Sequence, residues 1–208
     1  MSSSDFLEPP SSPLDDPRLQ FYLRNRDQIR EWAALEQEVR EATRSLLFDL
    51  RRDLVPLAES LGDDVVIAVE GADSSYPRLT MRRSSWPAIG SQSIVAVALE
   101  WMPKVDLAGS ETPWVGVRVE ISDPQGKALD VPLRAAFAAS EMSARGFALK
   151  GYAWWPVIRR LKRNSDWWKD GAGAWRQSAI DEYAETWRLA SPVIDAVVAA
   201  DGARQSRP

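Results

Sequence analysis

The chain contains no cysteine and no histidine among its 208 residues. The lack of cysteine excludes disulfide bonds and thiol nucleophiles, and on that ground we expect a cytosolic location. The lack of histidine excludes Ser–His and Cys–His catalytic systems, together with a histidine general base working near neutral pH. A zinc site with its usual nitrogen or sulfur ligands is excluded as well. The chemistry that remains is that of carboxylates, mainly with magnesium or calcium, and of lysine and hydroxyl side chains.

Long apolar segments are also missing. No apolar run approaches the roughly eighteen residues that a transmembrane helix needs. The segment Met1–Glu8 lacks the basic start and the apolar centre of a signal peptide. We therefore expect no membrane partner and a cytoplasmic protein.

Composition predicts the domain organisation. Residues 1–16 are rich in serine, proline and aspartate, which is typical of a disordered leader. Residues 17–202 are long enough for a single domain with a sizeable core, and residues 203–208 are predicted to be a frayed tail.

A long amphipathic helix is predicted over residues 27–61, after a short helical lead-in that Asp16 and Pro17 start. Pro56 predicts a kink near its end, and Gly62 suits the C-terminal stop. The apolar face of this helix could mediate dimerisation, but we expect it to pack against the sheet of its own chain. Spacings of three and four residues place the following on one helix face: Trp32, Leu35, Val39, Ala42, Leu46, Leu50, Leu54, Leu57 and Leu61.

After this helix the period of the apolar residues changes to two, which predicts strands with one apolar and one polar face. The resulting expectation is an α+β fold with a mainly antiparallel sheet of four to five strands and C-terminal helices packed on one face. The predicted elements are four strands near residues 65–70, 78–82, 94–101 and 114–121, a turn at 123–126, a helix over 132–145 that starts at Pro132, a fifth strand over 147–155, and a helix over 174–200 that is kinked near Pro192.

Paired tryptophans and cations are concentrated near residues 154–169, within a basic part of an acidic protein. Residues 134–163 hold seven cations and the single acidic residue Glu141, whereas the whole chain has a formal net charge of −4. An anionic partner can be steered to such a stretch despite the net charge. The candidate binding residues are Trp154, Trp155, Arg159, Arg160, Lys162, Arg163, Trp167, Trp168 and Lys169.

Three interpretations of this segment stay open. Tryptophan and arginine are the commonest hot spots of protein interfaces. Aromatic rings beside cations also bind single-stranded nucleic acid, because bases stack on the rings and phosphates pair with the cations. In the structural interpretation, one indole of each pair enters the core, since adjacent residues of a strand point to opposite faces.

The polar face of the predicted sheet carries a second group of charged residues. Glu100 and Glu120, on neighbouring strands, are the best pair to hold a hard cation. The interleaved arginines instead favour a solvated cross-strand ladder of ion pairs. The residues predicted to share this face are Glu70, Arg78, Arg82, Glu100, Arg118 and Glu120.

The predicted order of helix, antiparallel sheet, helix and strand is similar to the core of the PD-(D/E)XK nuclease superfamily. The resemblance is topological and covers at most residues 27–155. It implies an acidic residue on one strand and a (D/E)-x-K motif on the next, which hold magnesium and activate water. Two positions after Glu100 stands Met102, and two after Glu120 stands Ser122, so both candidate motifs lack the lysine.

The sequence therefore favours a non-enzymatic, cytosolic binding protein that docks a macromolecular partner through a Trp/Arg-rich surface. We predict no catalytic residue, no metal site and no cofactor. A protein partner is expected before a nucleic acid, and the oligomeric state stays open. The alternatives are a metal-dependent or degenerate nuclease-like protein and a single-stranded nucleic-acid binder.

Overall fold

The structure is a computed structural model that describes residues 14, 16–72, 74, 76–100, 113–149, 152–162 and 173–205, with the backbone alone at 36, 37, 39, 40, 43, 44 and 205. The chain divides into two compact units, Met1–Ala42 and Thr43–Pro208. Most of the predicted leader and the last residues of the predicted tail lie outside the described residues. The elements below belong to the second unit, apart from the first part of the N-terminal helix.

The predicted N-terminal helix is confirmed as α1, Pro17–Leu61, which includes the lead-in and has Pro56 inside it. Gly62 follows α1 with a φ of 137°, a value that favours glycine, and so ends the helix as predicted. The predicted C-terminal helix is confirmed as α3, Gly173–Gln205, which contains Pro192.

The helix between them was predicted in the wrong place. Helix α2 spans Pro124–Ala138, so Pro132 lies inside it rather than at its start. The Asp123 carboxylate accepts hydrogen bonds from the backbone N–H groups of Gln125 at 2.8 Å and Gly126 at 3.3 Å, which makes it the N-cap. The residues predicted to be a turn therefore start α2, with proline in the first turn, where its missing N–H costs little.

The predicted antiparallel sheet is confirmed. Its five strands are in the order β1-β2-β5-β6-β7, and each neighbouring pair is antiparallel. A short hairpin, β3 with β4, lies outside this sheet. The strands are β1 Val65–Glu70, β2 Arg78–Arg83, β3 Ala88–Ile89, β4 Gln92–Ser93, β5 Val95–Glu100, β6 Trp114–Val119 and β7 Val157–Arg160.

The fifth strand of the sheet differs from the prediction of residues 147–155. Within that range, Ala148 makes only an isolated antiparallel bridge with Ile158 of β7. Pro156 stands immediately before β7 and has no N–H to donate to a strand ladder. The strand therefore begins after the proline, and β7 becomes an edge strand.

The helices cover one face of the sheet, as predicted, and the core lies between them. Leu50 and Leu54 of α1 join this core, together with Phe137 of α2 and Trp175 of α3. Tyr183 of α3 connects the helix to two strands, as its hydroxyl donates a hydrogen bond to the Leu79 carbonyl and accepts one from the Leu99 N–H at 2.8 Å. Burial raises the pKa of the Tyr183 hydroxyl well above its ordinary value. The hydroxyl therefore stays protonated and keeps its donor role.

Candidate binding cleft

Two adjacent arginines of β7 lie on opposite faces of the sheet. Arg159 is paired with Val115 and Arg160 with Trp114 in the register of β6 and β7. Because successive side chains of a strand alternate, one guanidinium lies on the helix-covered face and the other on the opposite face, near the edge of the sheet. This alternation assigns the two arginines different roles.

Arg159 holds the edge strand against its neighbours. Its guanidinium forms ion pairs with Glu182 and Glu185 of α3, and its side chain is only 9% exposed. It also lies 4.2 Å from the centroid of the Phe147 ring and donates a hydrogen bond of 3.0 Å to the Arg145 carbonyl. The hydrogen bond from Arg159 lowers the pKa of the Glu185 carboxyl. The main role of Arg159 is therefore structural, because its contacts hold β7 against α3 and against the chain segment of Arg145 and Phe147.

Arg160 is exposed and stacks on an aromatic pair. Its guanidinium carbon lies 4.6 Å from the centroid of the Trp114 ring. The Trp114 ring in turn meets Tyr152 edge to face, with centroids 4.7 Å apart and planes at 67°. A guanidinium stacked in this way is held in position at the protein surface.

These residues line an open cleft of about 410 Å³, which we call the cationic cleft. Four of its lining side chains are cations and none of the described lining residues is acidic. Arg145 is paired with Glu141 across 3.8 Å, and both side chains are at least half exposed. The lining residues are Trp114, Arg145, Gly146, Ala148, Tyr152, Ile158, Arg159, Arg160 and Lys162.

The structure brings only part of the predicted binding segment to this cleft. Arg159, Arg160 and Lys162 line it. Trp155 is 6% exposed and packs with Ala98 and Ile158. The remaining predicted residues, Arg163, Trp167, Trp168 and Lys169, lie outside the described residues.

Trp154 and Trp155 follow the structural interpretation of the sequence more closely than the binding one. The half-buried Trp154 ring lies 5.0 Å from the Arg118 guanidinium, on the polar face of the sheet. Trp155 is buried in a small cluster on the sheet. Neither indole is among the residues that line the cationic cleft.

Sequence reasoning missed Trp114, Arg145 and Tyr152. For Trp114 there was a signal, because a large aromatic residue stands on the face that the strand pattern assigned to polar residues. Arg145 and Tyr152 come from segments that carry no local pattern. Their place in the cleft depends on how the chain after α2 returns to β7.

The predicted ladder of ion pairs on the polar face is present, but it is buried where solvation was predicted. Glu70 is 8% exposed. Its carboxylate accepts hydrogen bonds from Arg78 Nε at 3.2 Å, Thr80 Oγ1 at 2.9 Å, Ser93 N at 3.0 Å and Ser93 Oγ at 2.7 Å. The β3–β4 hairpin thus contributes to covering this end of the ladder.

Arg118 links the two carboxylates that were considered for a metal. Its Nε lies 3.4 Å from Glu100 and its Nη1 lies 3.3 Å from Glu120. Burial raises the pKa of Glu100, whereas burial and the nearby Arg78 lower the pKa of Arg118. In the described part of the chain no three acidic residues are grouped as a metal site requires. The geometry of Glu100 and Glu120 is that of an ion-pair ladder.

The raised pKa of Glu100 gives a testable pH dependence. At pH values between the ordinary pKa of 4.5 and the raised folded-state pKa, the Glu100 carboxyl is protonated in the native state and ionised in the unfolded chain. The stability from Glu100 is therefore present below the ordinary pKa and is lost as pH rises through the folded-state pKa. A Glu100→Gln variant lacks this loss, so its stability relative to wild type should rise as pH increases above the ordinary pKa of 4.5.

Urea unfolding at a series of pH values measures this difference. Glu59→Gln is the matched control, because Glu59 is exposed on α1. A stability difference for Glu100→Gln that is constant across this pH range would contradict the assignment.

Comparison with protein-family models, curated proteins and solved structures finds no match to this chain. None of the helices among the described residues is long and apolar enough to cross a membrane.

Proposed function

We propose that this protein is a non-enzymatic, cytosolic binding protein that docks an acidic segment of a protein partner in the cationic cleft. The observation that carries the proposal is the position of Arg160, stacked on Trp114 and flanked by Arg145 and Lys162 in a cleft without lining carboxylates among the described residues. Tryptophan, tyrosine and arginine are the side chains most enriched in interface hot spots.

An anionic ligand suits the charges of the cleft. Arg159 is paired with two glutamates and Arg145 with the exposed Glu141, so the remaining positive charge of the cleft comes from the exposed Arg160 and Lys162. A planar guanidinium binds a carboxylate through two parallel hydrogen bonds, and a neighbouring ammonium adds a point charge. The cleft therefore favours a partner segment rich in aspartate or glutamate.

A protein segment suits the cleft better than a nucleic acid, because single-stranded binding relies on aromatic faces that bases can cover. The Trp114 ring is already in contact with Arg160 and Tyr152. The Trp154 ring is in contact with Arg118, and Trp155 is buried. The three described indoles of this region are therefore already in contact with other side chains of the protein or buried.

Fluorescence anisotropy with a labelled peptide rich in Asp and Glu tests the proposal. We expect Arg160→Glu to weaken peptide binding by about 30-fold or more, as removal of an interface hot spot does. Arg204→Glu is the matched control, since it makes the same charge change at an exposed position of α3. Equal affinity of the two variants would contradict docking in the cleft.

The same assay separates the nucleic-acid alternative. A labelled oligo-dT strand should bind more weakly than the peptide at physiological salt. Tighter binding of the oligo-dT, with an affinity that falls steeply with salt and is lost in Arg160→Glu, would replace the proposal with single-strand binding.

A further inference from the structure

The first part of α1 exposes large apolar side chains. Residues 17–42 of this helix belong to the first compact unit. Phe21 is 63% exposed, Trp32 is 62% exposed and Leu35 is 49% exposed. Helices in proteins are stabilised mainly by packing of an apolar face, and large exposed apolar side chains grouped together mark interaction surfaces.

These three side chains lie on one face of the helix. At 3.6 residues per turn, Phe21, Trp32 and Leu35 fall within an arc of about 60°. The segment from 17 to 42 is roughly 39 Å long at a rise of about 1.5 Å per residue. On this arc Phe21 lies near one end of the segment and Trp32 with Leu35 lies beyond its middle, with the polar Gln28 between them, and this mixed surface faces a partner helix.

The charges of this segment are divided along its length. Residues 18–30 contain four arginines and one aspartate, whereas residues 31–41 contain four glutamates and one arginine. The first half is thus basic and the second half acidic. A partner with the same division, in the opposite direction, is complementary over the whole length.

We propose that this segment pairs antiparallel with the same segment of a second copy of the chain. Pairing about a midpoint between Arg30 and Glu31 places each basic half beside the acidic half of the other copy. In this register Ile29 of one copy lies at the same height along the pair as Trp32 of the other copy. A parallel pair would instead place like charges side by side, which is unfavourable. The occupant of the mixed surface is therefore another molecule of the same protein.

Sedimentation equilibrium of the full chain measures the association. Wild type should show twice the monomer mass of 23.3 kDa. The double variant Arg24→Glu/Arg30→Glu makes both halves acidic, and Glu31→Arg/Glu38→Arg makes both halves basic. Each should self-associate about tenfold more weakly than wild type, because several exposed ion pairs become repulsive.

Mixing the two charge-reversed variants is the control for folding, since all four positions are exposed and the mixture restores complementary halves. Recovery of the dimer in the mixture supports the proposal. A monomeric wild type, or a wild-type dimer that neither reversal weakens, would overturn it.

The absence of native cysteine allows the direction of the pair to be tested. Gln28→Cys introduces one thiol near the midpoint and Phe21→Cys one near the end of the segment, both on the arc that Phe21, Trp32 and Leu35 share. In an antiparallel pair the two copies of position 28 are about 7.5 Å apart along the axis and the two copies of position 21 about 28 Å apart, so a short bismaleimide should cross-link the dimer efficiently at position 28 and poorly at position 21. Efficient cross-linking at position 21 would show a parallel pair and contradict the proposal.

Discussion

An Arg159→Ala variant is expected to lower the free energy of unfolding by about 3–5 kcal/mol, the usual cost of removing one partner from a buried ion pair. The substitution leaves Glu182 and Glu185 without the cation that pairs with both. It also removes the guanidinium from the Phe147 ring and from the Arg145 carbonyl. Because these contacts join β7 to α3 and to the turn at Arg145, one wall of the cationic cleft should loosen as well.

The pH dependence of this effect follows from Glu185. Its pKa is lowered by the hydrogen bond from Arg159, so its contribution to stability is present above the ordinary pKa and is lost as pH falls through the folded-state value. The destabilisation of Arg159→Ala should therefore be larger at neutral pH than in acid.

The neighbouring arginine is the matched control. Arg160→Ala removes an exposed side chain and its contact with the Trp114 ring, so its stability should fall by about 1 kcal/mol or less. Urea unfolding of the two variants measures the contrast. Equal destabilisation by both substitutions would contradict the division of roles between the two faces of β7.

A Glu70→Ala variant is expected to be destabilised by about 3–5 kcal/mol for a related reason. The buried carboxylate accepts hydrogen bonds from Arg78, Thr80 and both the backbone and the hydroxyl of Ser93. Its removal leaves the Arg78 cation, with a side chain 11% exposed, without its ion-pair partner. The β3–β4 hairpin should also lose its attachment to the sheet.

A Glu70→Gln variant distinguishes the contribution of the hydrogen bonds that Glu70 accepts from the contribution of its negative charge. It keeps an oxygen that accepts hydrogen bonds, and should therefore cost less than alanine, although Arg78 still loses its counter-charge. Thermal or urea unfolding measures both variants, with Glu59→Ala at an exposed position of α1 as the control. If Glu70→Ala lowers the free energy of unfolding no more than Glu59→Ala does, the ion-pair ladder does not stabilise the sheet.

The sequence was sufficient for the strands because large apolar residues alternate in them with polar or small ones. The partners in β1, β2, β5 and β6 lie close in sequence, and each has an apolar side that a period of two reveals. The start of α2 was missed because Asp-Pro begins turns and helices alike. The buried residues Gly126, Leu129, Leu133 and Phe137 are spaced by three and four, and this spacing favours the helix.

Less of the candidate site than of the sheet could be predicted from the sequence. The opposite roles of Arg159 and Arg160 follow from strand alternation, but only once the strand is placed after Pro156. The partners of Arg159 lie on α3, and no local pattern connects them to β7. The cations were therefore found as a group, whereas their division into a structural arginine and a surface arginine required the register.

The ion-pair ladder, too, could be predicted from the sequence only in part. Its members could be predicted from the strand pattern, because Glu70, Arg78, Glu100 and Arg118 recur on one face. Its burial could not, since Ser93 of the β3–β4 hairpin and Trp154 reach this face from outside the strands that carry those charges.

The most direct test of the central claim is nuclear magnetic resonance mapping of the acidic peptide on isotope-labelled protein. If the cationic cleft is the docking site, the largest shift changes should fall on the indole N–H of Trp114 and on the backbone amides of Gly146 and Ala148. The indole of Trp175, which is fully buried in the core, should not change. Changes confined to other surfaces, such as residues 17–42, or no change at saturating peptide would contradict the account.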